Sequence, residues 1–492
     1  MGGSAFSIGA NPLRTPRMLP SLYHAQKQRC RALLRQLYVH VDSPIDGPGK
    51  ADFGDIDFLV YQRRRDAPPA PPHVDDTKPG AELIGELAAL LGAQRTIIAD
   101  GAASNLAIPW PADADEQTSE NAAVATATAP APAEDKKYIQ VDVRISPSLE
   151  SHAWMLFKHA HGDIWNLVGS LVRPYGLTID DRGMFLRVPE IEAVYKTRAK
   201  VHLTSDPARV LDFLGLPRTA DHARIWVDAP FPDLDAMYEY VALCRMMYIT
   251  PSATGPPNQA NHDEGHNLLK DVQNLKHNDR QRMRQRPGFR RWIEEFIPRC
   301  RREGRFAVQA TDRGNITEEA LEEFGVRDEF ERRRHAFLLE QQRHHIWNGI
   351  IKTQIPALEP GNADQKAILA RSGLVKGLKR IILERDASYG VDFDEGLLGE
   401  DGLYKEDEVV RFIEKNKDAV QKAALDRHNE AFIKYKEEKK AREEKSVEVA
   451  EEKPVKVAGE KPVEVAEENL EKKQTESEDE KPTELEDEKP TA

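Results

Sequence analysis

Phe53-Gly54-Asp55-Ile56-Asp57-Phe58-Leu59-Val60 is the stretch on which the reading of the whole chain turns. Ile56, Phe58 and Val60 alternate with Asp55, Asp57 and Leu59, the period of two that marks a strand with one buried face. The alternation puts both carboxylates on one face, where like charges repel unless a cation lies between them. Gly54 gives the backbone freedom to turn tightly into the strand. A second amphipathic strand is predicted at Tyr138–Ile145, with Asp142 on its polar face between Val141 and Val143. If the two strands are neighbours, Asp55, Asp57 and Asp142 form a carboxylate cluster suited to one or two Mg²⁺ (or Mn²⁺) ions.

Just upstream, Leu22–Tyr38 has Leu33, Leu34 and Leu37 at helical spacing, and Val39–Ser43 reads as a short strand. Pro44-Ile45-Asp46-Gly47-Pro48-Gly49-Lys50 follows, a loop whose small residues would let the backbone approach a phosphate and offer it N–H donors. The spacing is not that of a P-loop, because Gly49-Lys50 is followed by Ala51 instead of Ser or Thr. A plain Pro/Gly turn between strands is the competing reading.

Ser43, a glycine-containing loop, Asp-hydrophobic-Asp and then hydrophobic-Asp-hydrophobic, in that order, resemble the polymerase-beta-like nucleotidyltransferase superfamily over roughly residues 1–200. The resemblance implies an α/β (α+β) core with a mixed sheet. It also implies a catalytic and metal-binding triad, Asp55, Asp57 and Asp142, that holds two metal ions on a nucleoside triphosphate. In that pattern Asp55 and Asp57 would bind both ions, and Asp142 the ion that activates an acceptor hydroxyl. Ser43, Gly47, Gly49 and Lys50 would steady the triphosphate. Asp42 stands where the family has a glycine, a departure that motivates a second reading: a catalytically inactive nucleotidyltransferase-fold protein acting as a binding or scaffold module.

The rest of the chain predicts four regions: a flexible arm over residues 1–20, the core over 21–215, an α-helical domain over 216–435 and a disordered charged tail over 436–492. Within the core, residues 81–92 read as a helix and 96–98 and 106–108 as strand pieces, whereas 109–135 is rich in Ala, Thr, Pro and Glu and reads as a disordered insertion. Such an insertion is tolerable because closure entropy grows only logarithmically with length. Two helices (148–159 and 162–172), a hairpin (177–180 with 184–188), a strand (200–203) and a helix capped by Asp206-Pro207 follow. Between Lys276 and Arg305, 11 bases face 4 acids, with Phe289, Trp292 and Phe296 interleaved. Arg280, Arg282, Arg284, Arg286, Arg290 and Arg291 are therefore candidate contacts to RNA or another nucleic acid, by phosphate pairing and base stacking. A solvated helix with core aromatics is the alternative. In the tail, Glu-Lys-Pro recurs at Glu452, Glu460, Glu480 and Glu488, and the prolines break any helix there.

The net charge of −13 is uneven: residues 436–492 hold 20 acids and 12 bases, hence −8, which leaves −5 for the remainder. Cys30, Cys244 and Cys300 are far apart and lack paired ligand spacing, which suits a reducing compartment, cytoplasmic or nuclear. No apolar run approaches 18 residues, so neither a signal peptide nor a membrane span is predicted. Two other constellations miss their motifs. His159-Ala160-His161-Gly162-Asp163 is followed by Ile164 where a binuclear hydrolase needs His, and His262…His266 has Asp263 where a metalloprotease needs Glu. The candidate activities are thus nucleotidyl transfer to an unidentified hydroxyl acceptor, RNA among them, an inactive binding module, or nucleic-acid binding through the arginines alone.

Overall fold

The structure is a computed structural model that describes residues 3–8, 11–65, 80–100, 102–112, 136–218, 226, 229–250, 277–358 and 364–451. The chain groups into two compact units, Met1–Gln342 and Arg343–Ala492.

The first unit is built on a mixed five-stranded sheet. Its strands are β1 (Tyr38–Asp42), β2 (Asp55–Arg63), β3 (Arg95–Asp100), β4 (Ala103–Pro109) and β5 (Tyr138–Ile145), ordered β1-β2-β5-β4-β3. β2 and β5 run parallel, and every other pair is antiparallel. The alternation of β2 does what its residue types dictate. Ile56, Phe58 and Val60 join Val141 and Val143 of β5 in a core covered by α1 (Pro20–Leu34) and α2 (Ala81–Leu91), through Tyr23, Cys30, Leu34, Ile84 and Leu87. On the opposite face the strand changes character along its length: Leu59 enters a second core, whereas Asp55 and Asp57, toward its start, do not.

That second core is shared by α3 (Leu149–His159), α4 (Ile164–Val172), an antiparallel three-stranded sheet (β6 Leu177–Asp180, β7 Gly183–Arg187, β8 Lys200–Thr204) and helices as far as Phe337. The helix from Pro207 to Leu214 is capped as its sequence predicts, Asp206 accepting the Ala208 N–H at 2.8 Å. Since Phe289, Trp292 and Phe296 belong to this core, the expected boundary at 215/216 is not where the contacts divide; among the described residues of 216–342, apolar side chains from Leu216 to Phe337 share the core with those before them.

The described residues of the segment expected as a flexible arm are also built in. Met18 exchanges two backbone hydrogen bonds with Phe53, at 2.7 and 2.9 Å, and Tyr138 N–H donates to Arg14 O at 2.9 Å. Phe6 and Met18 are 1% and 0% exposed, so burial of two apolar side chains offsets the loss of chain freedom.

In the second unit, a helix over Gln365–Glu384 packs along one over Glu406–Glu451. Leu378, Ile381 and Ile382 of the first and Val409, Ile413 and Val420 of the second are buried. The later helix runs beyond the expected tail boundary at 436, because no proline interrupts it before Pro454. The Glu-Lys-Pro tail beyond Glu451, most of the predicted insertion (113–135) and His262 and His266 lie outside the described residues. No helix among the described residues is long and apolar enough to cross a membrane.

Ile56 has no exposure and belongs to the first core. Replacing it with Ala is expected to lower the unfolding free energy by about 2–5 kcal/mol in denaturant titrations; a loss below about 1 kcal/mol would mean that this face of β2 is not packed.

Candidate metal centre

The parallel register of β2 and β5 sets Asp57 directly beside Asp142 and Asp55 beside Gln140. With side chains alternating across a strand, all four project to the face that helices α1 and α2 do not cover. One carboxylate oxygen from each of Asp55, Asp57 and Asp142 can be chosen so that all three lie within 4.8 Å of one another. Among the described residues this is the one group of three or more His, Cys, Asp or Glu side chains that close. The sequence expectation of a shared acidic site on adjacent strands is met in geometry.

The cluster is held by donors that the sequence did not single out. Asn105 on β4, paired with Asp142, donates Nδ2–H to Asp142 Oδ1 at 2.7 Å. Gln140, two residues before Asp142 on the same face, places its Nε2 at 2.9 and 3.1 Å from the two Asp142 oxygens. These two amides, one on the neighbouring strand and one two residues away, read as ordinary strand polar residues, and only the register converts them into supports for a carboxylate.

Electrostatics show the strain in this arrangement. Asp57 opens to solvent at the surface but lies deep among protein atoms; that burial, then Asp55 and Asp142, push its carboxyl up to about 7, against a smaller opposing effect of Lys50. Burial likewise raises Asp142 to about 6, opposed by the Asn105 and Gln140 hydrogen bonds. An all-carboxylate donor set suits hard, oxygen-seeking cations such as Mg²⁺ or Mn²⁺ in preference to Zn²⁺.

The loop after β1 comes near this centre but not with its expected chemistry in view. Lys50 sits 3.8 Å from Asp46 Oδ1 and over the Phe53 ring, and it acts electrostatically on Asp57. Asp46 also accepts from Tyr23 Oη at 2.9 Å and from Lys27 Nζ at 3.1 Å. Gly49 has φ +69°, and the Gly47 position packs against Gly162, 3.6 Å from its Cα to an added Cβ. Ser43 Oγ is buried with no hydrogen-bond partner among the described residues. Asp42 faces a different partner: its Oδ2 lies 3.0 Å from His152 Nε2, and His152 Nδ1 lies 3.2 Å from Ser146 Oγ. The His152 contact holds the Asp42 carboxyl below the usual range. Asp42 thus ties α3 to the edge of the sheet.

The other candidates fall apart as sites. His159 lies 3.8 Å from Asp181, His161 is fully buried against Trp226 and Phe231, and Asp163 pairs with Arg286 at 2.9 Å. In the arginine-rich stretch Phe289, Trp292 and Phe296 are at most 1% exposed, so they cannot stack on bases. Arg290 donates to Met283 O, and Arg291 to Asp235 and Glu295. Arg280 and Arg284, one helical turn apart, are exposed. All three cysteines are buried and unpaired.

No protein-family model matches the chain, and no curated protein does. Among solved structures, it is similar to polymerase beta of Leishmania infantum in a ternary gap complex and a ternary P/T complex. Each overlay covers 42% of this chain, and 69% and 75% of those chains, at 15% identity and a TM-score of 0.27. An overlap that loose decides neither fold nor activity.

The raised carboxyls give two tests. A carboxylate must lose its proton to bind metal. Mn²⁺ affinity should therefore rise by about tenfold per pH unit for each proton displaced and level off above about pH 7, as read by titration calorimetry. Without metal, the folded state holds its proton on Asp57 up to about pH 7, whereas an unfolded Asp releases it near about pH 4. The folded state therefore binds more protons in this window, and stability falls as pH rises through it. Asp57→Asn removes that loss, so the metal-free variant should melt a few degrees above the wild type at pH 8 and no higher at pH 4.

Proposed function

We propose that the chain is a metal-dependent nucleotidyltransferase, moving a nucleotidyl group from a nucleoside triphosphate to a hydroxyl acceptor. The observation that supports this best is the meeting of Asp55, Asp57 and Asp142 within 4.8 Å on one open face of the sheet. Divalent ions bound there would carry the triphosphate and offset charge on the departing pyrophosphate. Asp55 and Asp57, two residues apart on one strand, would hold that complex. Asp142 faces Asp57 from the next strand and would hold the ion that activates the acceptor hydroxyl, directly or as the base that takes its proton. The acceptor oxygen would then bond to the α-phosphorus as the bond to pyrophosphate breaks. Lys50, which acts electrostatically on Asp57, would meet a phosphate, and Ser43, Gly47 and Gly49 would line its approach. RNA is a candidate acceptor, with Arg280 and Arg284 its simplest phosphate contacts and Arg282, Arg286, Arg290 and Arg291 subordinate.

A second reading, an inactive binding module with the same core, is favoured by two features of the loop. The Ser43 hydroxyl is buried, and Lys50 already has an acid partner, Asp46, at 3.8 Å. Calorimetry with Mg²⁺ and each nucleoside triphosphate separates the readings, since a module that neither binds metal nor nucleotide gives no metal-dependent heat. For the enzyme, Asp57→Asn should reduce metal-dependent pyrophosphate release by more than about a hundredfold; release that is unchanged in this variant removes the mechanism.

A further inference from the structure

Residues 3–8 have no part in the chemistry above, yet their main chain is tied to the same centre at two points. The Gly3 N–H donates to Asp55 Oδ2 at 3.0 Å, and the Ala5 N–H donates to Gln140 Oε1 at 3.0 Å. The far end of that same Gln140 amide meets both oxygens of Asp142, at 2.9 and 3.1 Å. One short stretch of backbone therefore restrains an acid on each strand, Asp55 directly and Asp142 through a single buried amide.

From this geometry we infer that residues 3–5 are the outer shell of the acidic centre, with Gly3 a positioning residue for Asp55 and Gln140 the link that positions Asp142 toward a divalent cation. The inference rests on the reading of the centre as a metal site. A carboxylate that binds metal through one oxygen commonly has the other held by a hydrogen-bond donor, and loss of such a donor weakens metal binding by about 10–100-fold. Backbone N–H groups suit the task because they fix the carboxylate without adding a charge that competes with the cation.

The alternative, a plug that an incoming ion must expel, conflicts with how the segment is fastened. Phe6 is 1% exposed, Thr15 Oγ1 donates to Gly3 O at 2.7 Å, and the Leu13 N–H donates to Phe6 O at 2.8 Å. Expulsion would return a buried aromatic ring to water and break all of these hydrogen bonds. The close approach also demands glycine. Gly3 has φ +88°, and a Cβ there would lie 2.2 Å from the carbonyl oxygen of Gly54, the residue just before Asp55.

The test is Mn²⁺ affinity of the full-length protein, measured by the loss of free-ion electron paramagnetic resonance signal, alongside the melting midpoint. Gly3→Ala, Thr15→Val and Gln140→Leu are compared with Ser7→Ala, whose hydroxyl reaches only Ser4 O, at 2.7 Å. All three are expected to weaken Mn²⁺ binding by about 10–100-fold, Thr15→Val and Gln140→Leu with little change in melting and Gly3→Ala with a lowered midpoint because its Cβ meets the Gly54 carbonyl, whereas Ser7→Ala leaves binding unchanged. If Gly3→Ala does not fold, Thr15→Val decides, since it removes only the hydroxyl that fastens Gly3. Unchanged or tighter binding in the folded variants, with wild-type binding intact, overturns the inference and leaves the metal centre standing; tighter binding would make the segment a competitor of the ion. A wild type that binds no Mn²⁺ overturns both.

Discussion

Repulsion among three carboxylates is the constraint around which the first unit is arranged. The parallel pairing of β2 with β5 sets Asp57 against Asp142, and the two-residue period of β2 adds Asp55. Nothing in the folding of a sheet requires this, and a single apolar replacement would relieve it. The chain instead surrounds the acids with neutral donors: Asn105, Gln140 and the Gly3 amide. Such donors reduce the repulsion without cancelling it, as the raised carboxyls of Asp57 and Asp142 record. A site left in that condition favours a cation, and the apolar face of the same strands supplies the burial that lets the sheet tolerate it.

The surroundings divide into two electrostatic groups. On one side Asp42, His152 and Ser146 form a chain that joins β1 to α3, with the half-buried Asp42 carboxylate 3.0 Å from the imidazole. On the other, Asp46 gathers Tyr23, Lys27 and Lys50, with the Tyr23 ring stacked at 3.7 Å on Phe53. The second group stands beside the acidic cluster, close enough for Asp46 and Lys50 to act on Asp57 with opposite sign. Anything that draws Lys50 away from Asp46, a phosphate for example, would alter that balance directly.

Much of the fold was legible in the sequence because it depends on local periodicity. The alternation at 55–60 and 138–145, the hairpin around Gly183 and the Asp206-Pro207 cap are all set within a few residues, and each stands where its pattern places it. The acidic site was legible one step further, since two polar faces carrying acids meet only if the strands are neighbours. What the sequence could not supply were the long-range decisions. Asn105 and Gln140 look like any polar strand residues until register makes them donors. Phe289, Trp292 and Phe296 have the spacing of a stacking surface and of a core alike, and their burial settles it. The glycine-rich opening of the chain has the composition of a loose end, and its order comes from Phe6, Met18 and contacts some 50 and 135 residues away. Asp42 looked like a fault in a phosphate loop, whereas its partner is a histidine 110 residues later.

The central claim is that the gap between these three acids is a cation site. The most direct measurement is anomalous scattering from crystals soaked in Mn²⁺. The account predicts a strong peak between Asp55, Asp57 and Asp142, at roughly 2.0–2.3 Å from carboxylate oxygens. Crystals that show ordered side chains at all three positions and no peak among them would contradict it.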